Sequence, residues 1–345
     1  MNLEYLEFSK LDINNEFFDS LRSDYKEFNE WFLRKQKEKA YIYRENSIMI
    51  GFLYLKIENS EVKDVEPRLP AKKRLKIGTM KIDAHGTKLG ERFLKKAIDY
   101  AVRENALEIY VTVFPKHKAL ISLFEEYGFE KYGVKKTSNG EELVFLKTFS
   151  NIKNNILLDY PIINAKKSRK FLLSIYPKWH TELFPDSILN TESLDIIEDI
   201  SQTNSIHKIY LTSMKIGGVR SGDIIVIYRT KDDNGPAWYR SVATSICIVE
   251  EVQLSKSYTL QKFLELGAKY SVFDEQELRR WHAKDGSFVI TMTYNAAMSK
   301  RLTMQTLVEK IGLDKEEYWG FRELSDNQFK AIVKMGGINE DFIIY

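Results

Sequence analysis

Apolar positions in the first 150 residues switch between the spacing of helices and that of strands. Phe17, Leu21, Tyr25, Phe28 and Phe32 recur at steps of three and four residues, which predicts an amphipathic helix or a helix pair. The runs that follow predict, in order, strands at 40–45, 48–58 and 74–83, a helix at 90–103, a strand at 107–114, a helix at 117–127 and a strand at 140–147. This order predicts a mixed α/β domain over residues 1–150.

The pattern changes after residue 150. Residues 151–204 hold a polar stretch, one apolar strand at 170–177 and an aromatic segment without periodicity, which together predict a packed connector. Short strands then resume between Gly and Asp-Asn-Gly turns, with two helical runs among them. The predicted strands are at 206–213, 222–230, 238–252 and 287–295, and the predicted helices are at 259–268 and 274–283. Residues 205–345 are therefore predicted to form a small β-barrel with helical insertions, and the whole chain is of the α/β (α+β) class.

Composition places the chain among soluble globular proteins. It has 345 residues, of which 43% are hydrophobic and 13% aromatic, enough for two domains with their own cores. No apolar run approaches the ~18 residues of a membrane span, and the N-terminus has acidic residues where a signal peptide is basic. We therefore expect a cytoplasmic protein without membrane contact.

The single cysteine, Cys247, excludes a disulfide framework and a multi-cysteine zinc site. It lies in an apolar run that is typical of a buried strand, so it is predicted to be a core residue, and no metal site is expected. The net charge of +3 is small, but basic residues are bunched at 68–76 and 166–170. Such runs fit nucleic-acid contact, although a solvated loop and linker is the usual role of short charge runs.

One loop has features of an anion-binding site, even before any family is considered. The stretch KIDAHGTKLGERFLKKAIDYA, residues 81–101, passes from a strand through a loop with Gly86 and Gly90 into a helix. The first backbone N–H groups of a helix have no partner within it and lie at the positive end of its dipole, so they bind phosphate well. Lys88 and Arg92 can add charge. The alternative, an ordinary strand-to-helix connection, stays open at this point.

This order of elements resembles the GCN5-related N-acetyltransferase (GNAT) family over most of residues 1–150. The family loop has the pattern Arg/Gln-x-x-Gly-x-Gly/Ala, and the loop here, His85 to Gly90, keeps the last glycine but has His and Lys at two other motif positions. The closing family motif matches HKALISLFEEYGF at Leu123, Glu125, Gly128 and Phe129.

The resemblance implies acetyl-coenzyme A as the cofactor. The family binds its pantetheine through the strand before the loop and its pyrophosphate through the loop. The implied cofactor-binding residues are Met80, Ile82, His85, Gly86, Thr87, Lys88, Leu89, Gly90 and Phe124.

Catalytic residues follow less directly. The family commonly has a Tyr where this chain has Phe124, and phenylalanine cannot donate a proton to the leaving thiolate. Tyr127 can replace it or can simply pack under the next strand. His117 can act as base, acid or helix cap, and Glu58 can act as base or be merely solvated. Proton transfer through water is also open.

The C-terminal region resembles the PUA-like superfamily, which includes the ASCH and EVE domains, through GGVRSGDIIVIYRT and the long strand after it. Members bind RNA or modified bases. The implied nucleic-acid residues are Arg220, Arg229 and Arg240 for phosphate and Tyr228 for stacking, with Trp238 and Tyr239 beside them. Aromatic strand residues are more often core, and at least half of these are expected to be buried.

Taken together, these features predict an acetyl-coenzyme A-dependent N-acetyltransferase whose second domain recruits RNA or an RNA-associated substrate, such as an aminoacyl-tRNA or a ribosomal protein. A growth-inhibiting, toxin-like role is a further expectation from the resemblance. The alternative is a non-catalytic acyl-coenzyme A or nucleic-acid sensor, which Phe124 and Lys88 favour.

Overall fold

The computed structural model describes residues 2–83, 88–185 and 204–345. The described chain divides into two compact units, which separate between Asp159 and Tyr160.

A seven-stranded mixed sheet forms the centre of the first unit, in the order β1-β2-β3-β4-β5-β7-β6. Its strands are β1 (Asn2–Glu7), β2 (Lys39–Glu45), β3 (Ile48–Glu58), β4 (Arg74–Ile82), β5 (Glu108–Val113), β6 (Glu130–Thr137) and β7 (Gly140–Thr148). The β4–β5 pair is parallel and the other neighbours are antiparallel. The predicted mixed α/β architecture of this region is confirmed. Strands β1 and β6 were not predicted.

Helices cover this sheet because their apolar faces pack against its apolar side chains. They are α1 (Asp19–Asp24), α2 (Phe28–Arg34), α3 (Leu89–Arg103) and α4 (Lys118–Glu126). The short pair α1 and α2 confirms the predicted helix pair, and its rings join Phe8 and Phe52 of the sheet side in one aromatic cluster. Helix α3 buries Phe93, Leu94 and Ile98 completely.

Strand β4 contains a bulge at Gly78. The β3–β4 register passes from Tyr54 opposite Thr79 to Leu55 opposite Ile77, so Gly78 is the extra residue. A Cβ atom at Gly78 would lie 2.6 Å from Cδ1 of Tyr54. The close ring therefore requires glycine here, and the bulge re-aims the second half of β4.

The second unit contains a six-stranded sheet in the order β10-β13-β12-β11-β9-β14 and a small parallel pair, β8 with β15. The strands are β8 (Ile163–Asn164), β9 (Lys170–Ile175), β10 (His207–Thr212), β11 (Ile224–Arg229), β12 (Val242–Leu254), β13 (Phe288–Thr303), β14 (Phe321–Leu324) and β15 (Ile343–Ile344). Strands β9 and β11 are parallel. Within the described residues β10 does not pair with β14, so the sheet does not close. The predicted barrel is not confirmed.

Helices of the second unit are α5 (Pro177–Leu183), α6 (Ala237–Arg240), α7 (Leu260–Tyr270), α8 (Glu275–Ala283), α9 (Met304–Glu309) and α10 (Asp326–Gly336). The capping box predicted from Asp274 and Glu277 is present at the start of α8. Cys247 is fully buried in β12, which confirms it as a core residue. In the described parts of the chain no helix combines the length and apolarity needed to cross a membrane.

The region predicted as a separate connector is divided differently in the structure. Residues as far as Asp159 belong to the first unit, and the apolar run at 170–177 contributes β9, an inner strand of the second sheet. The aromatic segment after it begins with helix α5. Trp238 to Arg240, predicted as strand, form helix α6.

Candidate functional site

Strands β4 and β5 separate partway along their length. They pair only from Leu75 to Ile77 on β4 and from Ile109 to Val111 on β5. Beyond these residues β4 continues to Ile82 and β5 to Val113, and no further β4–β5 pairs occur in the described chain. Parallel strands that diverge leave backbone N–H and C=O groups of the inner edges available to a ligand. The gap between β4 and β5 is the centre of the candidate site.

Helix α3 begins beside the far end of this gap. Its N-cap, Lys88, makes no side-chain cap hydrogen bond. A Cβ atom at Gly90 would lie 2.9 Å from Leu123 of α4 and 3.6 Å from Ile82 of β4. Gly90 therefore brings the first turn of α3 close to both elements, which gives it a packing role beside the predicted phosphate-binding one.

The predicted cofactor residues that the structure describes lie together around α3 and β4. Leu89 and Phe124 are completely buried, whereas Met80 and Ile82 are half-buried on the part of β4 that has left β5. Phe124 packs against Phe129, with ring centroids 5.2 Å apart. His85, Gly86 and Thr87 lie outside the described residues.

A buried carboxylate lies beside the gap, on the sheet face opposite α3 and α4. Glu142 of β7 is 2% exposed. Its Oε1 accepts a hydrogen bond from the Tyr25 hydroxyl at 2.6 Å and from Thr112 Oγ1 at 3.1 Å. Thr112 follows Val111, the last β5 residue paired with β4. Burial and the Glu142 charge raise the pKa of Tyr25, so its phenol stays protonated and donates.

Among the described residues none donates a hydrogen bond to Glu142 Oε2, and no cation lies within ion-pair distance of this carboxylate. The site thus contains a desolvated carboxylate with one oxygen free to accept. Sequence analysis missed this group. The sequence gives little indication of this contact, because Tyr25 lies 117 positions from Glu142 and its own spacing indicates only a helical apolar face.

Glu58, a predicted base, lies at the closed end of the gap. It accepts a hydrogen bond from Tyr110, and Tyr110 is the β5 residue opposite Lys76 of β4. Burial opposes ionisation of Glu58, but the Tyr110 hydrogen bond and the charge of Lys76 outweigh it and lower its pKa. Burial in turn lowers the pKa of Lys76. Glu58 is therefore a stabilised anion, a weaker proton acceptor than an ordinary glutamate.

Tyr127, the predicted acid, is 1% exposed at the C-terminal end of α4. Its carbonyl accepts a hydrogen bond from Lys147 Nζ at 2.7 Å, and the carbonyl of Leu158 accepts another at 2.8 Å. Lys147 is itself buried, and burial lowers its pKa to about 7. Lys147 thus ties the end of α4 to the segment after β7.

His117, predicted as base, acid or cap, precedes α4 without making a side-chain cap. Its Nε2 lies 3.2 Å from Asp24 Oδ2, and Lys116 also contacts Asp24. The imidazole is 44% exposed. This arrangement connects α4 to the end of α1 rather than to the gap.

Of the predicted nucleic-acid residues, only some lie at the surface of the second unit. Arg220 is exposed, and Arg240 is partly exposed and bound to Asp232. Tyr228 and Arg229 are buried, at 3% and 6% exposure, because the run that contains them is the inner strand β11. In the described ranges no group of three or more His, Cys, Asp or Glu side chains is arranged to hold a metal ion.

Residues 5–129 match the model of the acetyltransferase (GNAT) family. This match supports an acetyltransferase that uses acetyl-coenzyme A, and it confirms the resemblance predicted for this region to that extent. The predicted fusion to a PUA-like domain stays a prediction. No curated protein matches the sequence of this chain.

Several solved structures resemble parts of the chain. A GNAT family acetyltransferase from Elizabethkingia anophelis with acetyl-CoA bound is 13% identical, covering 43% of this chain and 98% of that chain with a TM-score of 0.31. Chaetomium thermophilum Naa20 in complex with a bisubstrate analogue is 14% identical, covering 43% and 86%, with a TM-score of 0.33. ASCH from Zymomonas mobilis is 10% identical, covering 48% and 94%, with a TM-score of 0.34. At these values the similarities carry no argument about this chain.

Proposed function

Because residues 5–129 match the acetyltransferase (GNAT) family, we propose that this protein transfers the acetyl group of acetyl-coenzyme A to an amine that binds beside Glu142. The observation that carries the proposal is the desolvated Glu142 carboxylate, which has a free oxygen next to the divergence of β4 and β5. Amines are protonated in water, and a protonated amine is the kind of partner such a carboxylate lacks.

The energetics of Glu142 favour a cationic acceptor. A buried carboxylate that has only neutral donors is unfavourable compared with one that is ion-paired. Tyr25 and Thr112 both donate to Oε1, so they fix the direction of Oε2 while leaving it available. An ammonium group that donates to Oε2 would complete the set of partners.

The described residues around the gap fit acetyl-coenzyme A. The first turn of α3 lies at the positive end of the helix dipole, where a pyrophosphate is favoured, and the outer part of β4 has edge groups for the pantetheine. Bound acetyl-coenzyme A supplies an activated acetyl group. Lys88, Leu89 and Gly90 would hold the phosphate end, and Met80 and Ile82 would lie along the pantetheine.

Proton handling then falls to this chain's own groups. The ammonium must lose a proton before its nitrogen can attack, and Glu142 is positioned to accept that proton directly or through one water molecule. The departing thiolate needs a proton in return, and we propose that Tyr127 or water supplies it. Glu58 is held as an anion by Tyr110 and Lys76, so we assign it to charge balance at the closed end of the gap.

The second unit is proposed to bring RNA or an RNA-associated substrate to the enzyme. The exposed guanidinium of Arg220 and the 60% exposed ring of Tyr239 are the contact types that single-stranded nucleic acid uses. Tyr228 is excluded from that surface by its burial. An acceptor carried by tRNA or a ribosomal protein would make the growth-inhibiting role expected from the sequence possible.

The test is an incubation of the full chain with radiolabelled acetyl-coenzyme A and three separate pools, namely small amines, cellular proteins and aminoacylated RNA. We expect the label to appear in one pool. Its acetyl group should be joined to the acceptor nitrogen by an amide bond, which resists mild hydroxylamine treatment. Saturable cofactor binding with no transfer to any pool would instead support the non-catalytic sensor. No cofactor binding at all would overturn both.

A further inference from the structure

The last residue of β11, Arg229, is a buried cation that has few hydrogen-bond acceptors around it. Arg229 is 6% exposed, and its Nε and Nη1 atoms are buried without a hydrogen-bond partner. Its Nη2 lies 3.8 Å from Asp232 Oδ2, which is beyond hydrogen-bond distance. Burying a guanidinium while most of its N–H groups are unused is unfavourable. The arrangement therefore lacks an acceptor beside Arg229.

The nearby carboxylate is already engaged by a second arginine. Arg240, the last residue of α6, donates from Nε to Asp232 Oδ1 and from Nη2 to Oδ2 at 2.6 Å. The backbone N–H of Asn234 donates to Oδ1 as well, at 3.2 Å. These hydrogen bonds hold the pKa of Asp232 well below its ordinary value. One carboxylate thus lies beside two guanidinium groups, and of the two only Arg240 makes hydrogen bonds to it.

The buried imidazole of His180, which is close enough for the charge of Arg229 to act on it, adds no negative charge. His180 of α5 is fully buried, with Nε2 2.8 Å from Thr244 Oγ1. Burial, together with the charges of Arg229 and Arg301, lowers the pKa of His180 to about 3, so the imidazole is neutral. At the end of β11, the two guanidinium groups of Arg229 and Arg240 therefore lie beside the single carboxylate of Asp232.

We propose that this end of β11 is a phosphate-binding site in which a ligand phosphate replaces Asp232 between Arg229 and Arg240. A carboxylate has two oxygens and satisfies one guanidinium, whereas a phosphate has more acceptor oxygens and binds arginines in a bidentate way. Asp232 lies in the polar connection at residues 230–236, where Lys231, Asp233 and Asn234 are exposed. A movement of that connection would withdraw the carboxylate and open Arg229 to the ligand.

This inference deepens the proposed nucleic-acid role of the second unit, and it depends on that role only for the source of the phosphate. The phosphate can be a terminal monoester or a backbone diester of RNA, or it can belong to a small molecule. Inorganic phosphate is therefore the first probe, since its binding does not require the RNA proposal to be right.

The test compares Asp232→Asn with Asp233→Asn in the full chain. Both variants remove one negative charge from the same exposed connection, but only Asp232 contacts Arg240. Calorimetry with inorganic phosphate at constant ionic strength is expected to give at least tenfold tighter binding for Asp232→Asn than for Asp233→Asn. Equal affinities would overturn the proposal. Arg240→Gln provides a second variant. Phosphate should stabilise this variant against heat less than it stabilises the unchanged protein. Equal stabilisation of the two proteins would also overturn the proposal.

Two RNA oligonucleotides then identify the source, one with a 5′-phosphate and one without, each titrated into Asp232→Asn. Preference for the phosphorylated oligonucleotide assigns the site to a terminal monoester, and equal tight binding of both assigns it to the backbone. If inorganic phosphate binds and neither oligonucleotide does, the site stands as one for small phosphorylated molecules and the RNA role fails. If no probe binds any variant, the site does not exist.

Discussion

Tyr25 and Glu142 lie 117 positions apart in the sequence, and the hydroxyl of the first donates a 2.6 Å hydrogen bond to the carboxylate of the second. Tyr25 follows α1 and Glu142 lies near the start of β7, so the contact brings the helical N-terminal region to the sheet at the mouth of the gap. Its ring also packs on Phe114, directly after β5. The pair forms one wall of the proposed amine site.

Replacing Glu142 with glutamine should reduce turnover strongly while the fold and the cofactor affinity stay unchanged. Glutamine can still accept from Tyr25 and Thr112, but it cannot accept a proton or pair with an ammonium group. We expect kcat to fall about 10²–10⁴-fold, the range typical of a lost general base. Steady-state kinetics measure turnover, and calorimetry measures acetyl-coenzyme A binding.

The matched control for that variant is Glu141→Gln, since Glu141 is the exposed neighbour on the same strand. It should keep nearly full activity. Equal activity of the two variants would remove Glu142 from the proposed mechanism.

Alanine at Gly78 should destabilise the first unit. The added Cβ would lie 2.6 Å from the Tyr54 ring, which is 3% exposed and whose hydroxyl is bound to Glu38, so the ring cannot retreat. Overpacking of this kind costs about 1–3 kcal/mol. Urea denaturation followed by circular dichroism measures the shift. The control is Gly217→Ala, where nothing lies within 4 Å of the added atom, and a comparable loss there would contradict the steric explanation.

Stability should rise with pH above neutrality because of Lys147. Burial lowers its folded-state pKa from 10.5 to about 7, so between these values the unfolded chain binds the proton and the folded chain does not. The unfolding free energy therefore increases with pH in this window, by at most about 1.4 kcal/mol per pH unit from this one group. Below pH 7 both states hold the proton and the slope vanishes.

Comparing the unchanged protein with Lys147→Met isolates that slope, because other groups titrate in both proteins. The difference in unfolding free energy should change between pH 7 and pH 10 and stay flat below. Lys131→Met, at an exposed position of β6, should leave the slope intact. A pH dependence that survives Lys147→Met would assign it to other groups.

Removing the cap of α8 should cost about 1 kcal/mol. The Asp274 side chain accepts a hydrogen bond from the Glu277 backbone N–H at 2.7 Å, and the Glu277 side chain accepts one from the Asp274 backbone N–H at 3.1 Å. Alanine at 274 removes the first of these hydrogen bonds and keeps the backbone donor of the second. Thermal unfolding of the second unit reports the loss. Asp233→Ala, in an exposed connection, serves as the control with unchanged stability expected.

Sequence patterns predicted elements well where one face is clearly apolar. Strand β3 was predicted with its observed bounds, 48–58, and α8 with its capping box. Strand β6 was missed because it lies at the sheet edge and most of its residues are polar. Strand β9 was mistaken for a connector strand, since its neighbours β11 and β14 are distant in the chain.

Sequence patterns predict only those parts of the candidate site whose residues are close together in the chain. The predicted cofactor-binding residues of β4 and α3 are close in sequence, so a local motif is enough to propose them. Glu142 acquires meaning only when Tyr25 and Thr112 converge on it, and no local pattern encodes that. The basic runs at 68–76 and 166–170 are likewise not entirely solvent-exposed. Arg74 is fully buried against Glu108, and Lys170 is buried against Asp326.

Strand β9 pairs on one side with β11 and on the other with β14, although it precedes both by long stretches of chain. A fragment that begins at residue 205 would therefore lack β9, an inner strand of the second sheet. Strands β11 and β14 would then each expose an unpaired edge to water. Independent expression of this half of the protein should begin no later than Tyr160, and attempts that start at the apparent sequence boundary should yield aggregated material.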